Sequence, residues 1–167
     1  MKRICIAIAD AARARVFTFE ELGGPAGTPT QELHEVFELV DPDRRRRAGE
    51  LFSDTRPGSN RTPSGRGYAA TDHREAHLDE LDRHFAAEII TRLSEKVREH
   101  GFHRLIVAAS PRILGELRKA GVRLFESGLT VDDVNRDLTH LTPSQIHDHL
   151  AERGLLPARE RVTGKAP

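Results

Sequence analysis

The hydrophobic pattern contains two short segments, 4–9 and 105–109, in which every residue is apolar. A strand that is covered by helices on both faces has this composition, whereas a strand with one face in water alternates apolar and polar residues. We therefore predict that the two segments are central strands of a sheet, that they lie side by side, and that they run parallel.

Two further strands are predicted close to the first one. Residues 15–19 follow it after a turn at Asp10, and residues 33–40 alternate between apolar and polar side chains, which is typical of a more exposed strand. Short connections between three consecutive strands favour an antiparallel meander.

After residue 72 the apolar residues recur at helical spacing. The residues that carry this spacing are Leu78, Leu81, Phe85, Ile89, Leu93 and Val97. They predict a helix over 74–100, with Asp72 as its N-cap and Gly101 as its end.

Start and stop signals predict the remaining elements. A helix should begin at Ser110-Pro111 and end before Gly121, and a last helix should begin at Thr142-Pro143. The stretch 122–135 is ambiguous, because 122–125 and 129–134 could each be a strand. We prefer a strand at 129–134, with 122–125 as a helix end or a connection. The order β-β-β-α-β-α-β-α predicts one α/β domain over 1–154, a ribonuclease-H-like fold with a mixed five-stranded sheet and helices on both faces. Residues 155–167 are predicted to form a flexible tail.

The segment 41–72 lacks apolar periodicity and is strongly basic, so we predict a long loop there. Such a loop either contacts phosphates or is simply solvated. Few aromatic residues accompany the charge, which favours contacts with an RNA backbone over reading of bases. The candidate phosphate-binding residues of the loop are Arg44, Arg45, Arg46, Arg47, Arg56, Arg61 and Arg66.

Composition adds few constraints. Lys and Arg together number 26, as do Asp and Glu, so the net charge favours no class of partner. The only cysteine, Cys5, excludes an internal disulfide and a thiolate metal site. The apolar run at the start ends at Asp10, which is too short for a secretory signal or a membrane span. We expect a cytoplasmic protein with no membrane partner.

Candidate chemistry gathers where the two central strands end. Asp10 follows the first strand, while Ser110 and Arg112 open the helix after the second, so a crevice there offers helix amides and a guanidinium to an anion. A two-metal nuclease needs several converging carboxylates, and the second strand ends without one. Three histidines at helical spacing, His73, His77 and His84, are better explained as a solvated helix flank or by packing against the loop than as a metal site. We predict no metal and no cofactor.

Several segments together resemble the bacterial host-attachment protein family, described as proteins required for attachment to host cells. They are ADAARAR at 9–15, LFSDTRPG at 51–58, Phe85-Ala86, LIVAASPRILGELR at 105–118 and Asp137-Leu138-Thr139. The family is similar to the middle domain of archaeal and eukaryotic peptide-chain release factors, which implies an RNA-binding or translation-related role. The Gly-Gly-Gln tripeptide of those factors is missing; the loop holds Gly65-Arg66-Gly67 instead.

Two functions of different classes follow. The first is a non-catalytic module that binds RNA or the ribosome through the basic loop. The second is a hydrolase, either a nuclease or an enzyme of the peptidyl-tRNA type, that acts at the crevice of Asp10 and Ser110.

Overall fold

A computed structural model of the protein describes residues 2–21, 32–46 and 67–159. The five strands are β1 (Lys2–Ala9), β2 (Arg13–Glu21), β3 (His34–Val40), β4 (Arg104–Ala109) and β5 (Thr130–Asn135). The helices are α1 (Gly67–His100), α2 (Pro111–Ala120), α3 (Val122–Phe125) and α4 (Pro143–Glu152). The backbone is also helical at 42–46.

The strands form one mixed sheet in the order β3-β2-β1-β4-β5. β1 pairs antiparallel with β2 and parallel with β4, and the register places Ala9 opposite Ala109. β5 runs parallel to β4 at one edge of the sheet. The predicted central and parallel placement of 4–9 and 105–109 is therefore confirmed.

Helices cover both faces of the sheet, which explains why β1 and β4 are apolar at every position. One face packs against α1, α2 and α3, and its buried residues include Cys5, Ala7, Val107, Phe85, Ile89, Leu93, Leu117 and Leu124. The opposite face packs against α4, and its buried residues include Ile6, Ile8, Phe17, Ile106, Ile146 and Leu150. Burial also raises the pKa of the Cys5 thiol to about 12, so this thiol is not a nucleophile.

Helix α1 begins earlier than predicted. It starts at Gly67 rather than after Asp72, and it ends at His100, where Gly101 adopts a positive φ of 62°. Asp72 is therefore inside the helix and does not cap it. Ala69 and Ala70 are strong helix formers, which explains the extension. The predicted loop 41–72 is thus helical at both ends, and its residues 47–66 lie outside the described part of the chain.

Residues 122–125, predicted to be a helix end or a connection, form a separate short helix between β4 and β5. Gly121 separates α2 from the four-residue α3, and the preferred strand at 129–134 is confirmed as β5. The predicted start of the last helix at Thr142-Pro143 is also confirmed. It forms a capping box, in which the Thr142 hydroxyl accepts from Gln145 N and the Gln145 side chain accepts from Thr142 N.

Residues 155–159, within the predicted tail, pack against the domain. Leu156 is buried on the α4 face, and the Arg159 guanidinium binds the Asp148 carboxylate with distances of 2.8 and 3.0 Å. Residues 160–167 are not described. None of the helices in the described ranges combines the length and the apolar composition that a membrane span needs.

Candidate functional site

The carboxyl edge of the sheet, where β1, β4 and β5 end, brings most of the candidate residues together. Asp10 and Ser110 directly follow the paired residues Ala9 and Ala109, and β5 ends alongside at Asn135. The carboxyl ends of parallel strands are where open α/β sheets bind ligands. The structure therefore places Asp10 and Ser110 at the same edge of the sheet, and a binding crevice between them stays a prediction.

Asp10 shapes the turn between β1 and β2. Its Oδ1 accepts hydrogen bonds from Ala12 N and Arg13 N, both at 2.7 Å. Its Oδ2 lies 2.8 Å from the Thr139 hydroxyl oxygen in the loop after β5. One oxygen thus stabilises the turn, while the other contacts the loop after β5.

A second carboxylate joins Asp10 from the loop after β5. Ligand atoms of Asp10, Asp137 and His140 all lie within 4.8 Å of one another. The Thr139 hydroxyl oxygen lies between the carboxylates, 2.6 Å from Asp137 Oδ1. Because a hydroxyl has one hydrogen, it can donate to only one of the two carboxylates at a time. The carboxylates of Asp10 and Asp137 therefore bring two negative charges close together at the carboxyl edge of the sheet.

Arg15 of β2 binds the loop after β5, which carries Asp137 and His140. Arg15 is buried at 7% exposure, and its Nη1 donates to Thr139 O at 3.2 Å and to Leu141 O at 2.7 Å. The guanidinium also makes a bidentate pair with Glu35, in which Nε donates to Oε1 at 3.0 Å and Nη2 donates to Oε2 at 2.9 Å. The hydrogen bond from Arg15 lowers the pKa of Glu35, and the same bond raises the pKa of Arg15.

Arg44 and Arg112, both predicted to bind anions, are paired with carboxylates of α1 instead. Arg44 donates twice to Asp82 Oδ1, at 3.1 and 2.6 Å, and Asp82 is buried at 1% exposure. Arg112 Nε lies 2.7 Å from Asp82 Oδ2, and its Nη2 pairs with Asp79. Arg44 is therefore neither a free phosphate ligand nor simply solvated, because a buried carboxylate requires a cation beside it.

The other predicted binding residues have different surroundings. Arg45 is exposed and makes no ion pair with the described residues, whereas Arg46 pairs with Asp43 at 2.7 Å on the surface. Ser110 occupies the N-cap position of α2, but its hydroxyl makes no capping hydrogen bond. Four further candidates lie outside the described residues: Arg47, Arg56, Arg61 and Arg66.

The three histidines of α1 form no ligand group with other described residues. His73 and His77 are exposed, and His84 Nε2 lies 3.0 Å from Glu80 Oε1 on the helix surface. These positions agree with the predicted solvated flank.

Sequence reasoning missed Asp82, Arg15, Asp137 and His140. Asp82 had a visible signal, since a charged residue interrupts the stripe between Leu78 and Phe85. Asp137 follows a strand whose existence the sequence left ambiguous, so its approach to Asp10 depended on the position of β5 beside β4.

Comparison with known proteins identifies one family. Residues 5–150 match the model of a family described as "Protein required for attachment to host cells". The match runs from β1 into α4 and confirms the family predicted from sequence. A search of curated proteins finds no significant match. The predicted similarity to release factors stays a prediction.

Proposed function

Because the chain belongs to the family of proteins required for attachment to host cells, we propose that it serves attachment indirectly, as a non-catalytic cytoplasmic module that binds RNA or the translation machinery. The arginine-rich segment that starts at Arg44 is the proposed contact surface. We further propose a ribonuclease-H-like fold related to the release-factor middle domain, which the strand order β3-β2-β1-β4-β5 supports.

The observation that carries this proposal is the attachment of Arg44 to Asp82. The pair fixes the start of the arginine run on α1, next to Arg112 at the beginning of α2. Asp41 N also donates to Ala12 O at 2.8 Å, which ties the same segment to the turn after β1. The start of the arginine run is therefore fixed at the carboxyl edge of the sheet, and Arg45, the next residue, is exposed to solvent.

Replacing Arg45, Arg46 and Arg47 with serine is expected to weaken RNA binding and flatten its salt dependence. Each phosphate contact releases condensed counterions, so three lost contacts should reduce the log-log slope by about 2–3. The measurement is a salt titration with an in-vitro transcribed tRNA as the probe. Arg44 is kept in this variant, because it compensates the buried Asp82.

A variant with Arg92, Arg118 and Arg153 changed to serine controls for net charge. These three arginines are also exposed, and they are remote from the arginine run in sequence. The control should keep the slope and affinity of the wild type. Equal slopes for all three proteins would mean that residues 45–47 are only solvated, and the proposed surface would be wrong.

A second candidate function is metal-dependent hydrolysis at the carboxyl edge. The observation that favours it is the approach of Asp10, Asp137 and His140 within 4.8 Å. Carboxylate oxygens and imidazole nitrogens are ligands for divalent metals such as Mn²⁺ and Zn²⁺. A cation would also relieve the crowding of two carboxylates around one hydroxyl hydrogen.

Under the first proposal, the purified protein should hydrolyse neither RNA nor peptidyl-tRNA when Mg²⁺ or Mn²⁺ is added. The hydrolase requires turnover that is lost in both Asp10→Asn and Asp137→Asn. Asparagine suits this test because its Oδ1 can still accept the backbone hydrogen bonds that Asp10 accepts from Ala12 and Arg13. Turnover with these two properties would replace the non-catalytic proposal with the hydrolase.

A further inference from the structure

An open groove of about 450 Å³ lies at the amino edge of the sheet, opposite the candidate site. The last turns of α1 form one wall and the short helix α3 forms the other. Apolar side chains of Val97, Phe102, Leu124 and Leu129 line it, and Arg98 and Arg123 contribute the charge. A neighbouring groove of about 480 Å³ on the other side of α3 is also lined by both arginines.

The charge of this groove is not balanced by its own lining. No acidic residue lines it, and within the described ranges neither Arg98 nor Arg123 has an ion pair or a side-chain hydrogen bond. The acid next to Arg98 in sequence, Glu99, is held by Lys96 at 2.7 Å. Both arginines are exposed. A ligand with carboxylates could therefore pair with both arginines without first breaking an existing ion pair of the protein.

The apolar lining restricts the kind of occupant. Leu124 and Phe102 are each 7% exposed, so they form a floor rather than flat platforms on which nucleic acid bases stack. A floor of aliphatic and aromatic edges beside two guanidinium groups suits a segment that alternates apolar and acidic side chains. Such segments bind grooves through apolar anchors, with charge pairs at the rim.

We propose that this groove is a second interaction site, which binds an acidic, apolar peptide segment of a partner protein. An apolar side chain of the partner packs over Leu124 and Phe102, and its carboxylates pair with Arg98 and Arg123. The site is independent of the proposed RNA contact, because Phe102 and Leu129 lie just before β4 and β5, whereas the arginine run begins at their opposite ends. Both partners can therefore bind at once.

The test uses ¹⁵N-labelled full-length protein and the probe peptide acetyl-Leu-Asp-Phe-Glu-amide. Titration to millimolar concentration should give saturable amide shifts confined to 94–102 and 121–129. Exposed ion pairs contribute up to about fivefold each in affinity, so Arg98→Ser with Arg123→Ser should weaken binding about tenfold. The uncharged peptide acetyl-Leu-Asn-Phe-Gln-amide should bind with a similar loss.

A double variant of Arg83 and Arg153 to serine has the same change in net charge away from the groove and should bind the acidic peptide normally. Three results would overturn the proposal: no saturable shifts, shifts outside the groove, or equal affinity for the Arg98/Arg123 double variant. Tighter binding of a uridine decamer to the same amides would also overturn it, since the groove would then be a nucleic-acid site.

Discussion

Replacing Arg15 with methionine is expected to lower the free energy of unfolding by about 3 kcal/mol, the low end for breaking a buried ion pair. Methionine replaces the aliphatic stem of arginine but cannot donate, so the carbonyl oxygens of Thr139 and Leu141 lose their hydrogen bonds to the guanidinium. Glu35 loses its bidentate partner as well, but its side chain is 32% exposed and water can solvate it. Urea unfolding monitored by circular dichroism measures the loss.

The same substitution should also loosen the loop that carries Asp137 and His140. Amide hydrogen exchange at 138–141 is expected to accelerate in Arg15→Met, because Arg15 is the side chain that binds two carbonyls of this loop. Arg13→Met is the matched control. Arg13 is two residues away on β2 and pairs with Glu38, but both side chains are 39% exposed, so the expected loss is within about 0.5 kcal/mol. Equal losses in the two variants would show that burial of Arg15 does not matter.

The pH dependence of the Arg15–Glu35 pair has a defined sign. The hydrogen bond from Arg15 lowers the pKa of Glu35 in the folded protein. The pair therefore stabilises the fold above the ordinary glutamate pKa of about 4.3, and this contribution is lost as the pH falls through the lower folded value. A Glu35→Gln variant should accordingly lose less stability than the wild type between pH 7 and pH 3.

Replacing Gly121 with alanine is expected to destabilise the fold by about 2 kcal/mol, as overpacking of a filled site does. An added Cβ would lie 2.7 Å from Ile90 Cδ1, 2.7 Å from Phe125 Cε2 and 2.9 Å from Leu117 O. The carbonyl oxygen belongs to the last turns of α2 and cannot rotate away as a side chain does. The backbone φ of −103° is open to alanine, so the cost is steric.

Gly115→Ala is the matched control in the same helix. Its added Cβ meets nothing within 4 Å, and alanine is the better helix former by about 1 kcal/mol. Gly115→Ala should therefore be slightly more stable than the wild type. The melting temperatures of the Gly115→Ala and Gly121→Ala variants, measured by thermal unfolding, test the comparison. A Gly121→Ala protein as stable as the wild type would mean that α1 and α3 adjust to the methyl group without cost.

Local patterns in the chain were sufficient for most of the fold. The apolar runs at 4–9 and 105–109 identified the central strands because a strand covered on both faces has no solvated side. The Thr142 capping box and Gly101 marked helix ends because capping depends on neighbouring residues only. The start of α1 was missed because Asp72 is a good cap residue that the helix does not use.

The candidate site required the tertiary structure. Asp10 meets Asp137 through a contact between residues separated by more than half of the chain, and only the parallel placement of β5 beside β4 brings them to one edge. The sequence likewise identified a run of arginines but not their different roles. Arg44 is committed to Asp82 while Arg45 faces solvent, because the buried carboxylate on α1 binds two guanidinium groups, and Arg44, beside Arg112, is the described arginine of the run that reaches it. Chain-local patterns determine elements; long-range packing decides which charges remain available for a partner.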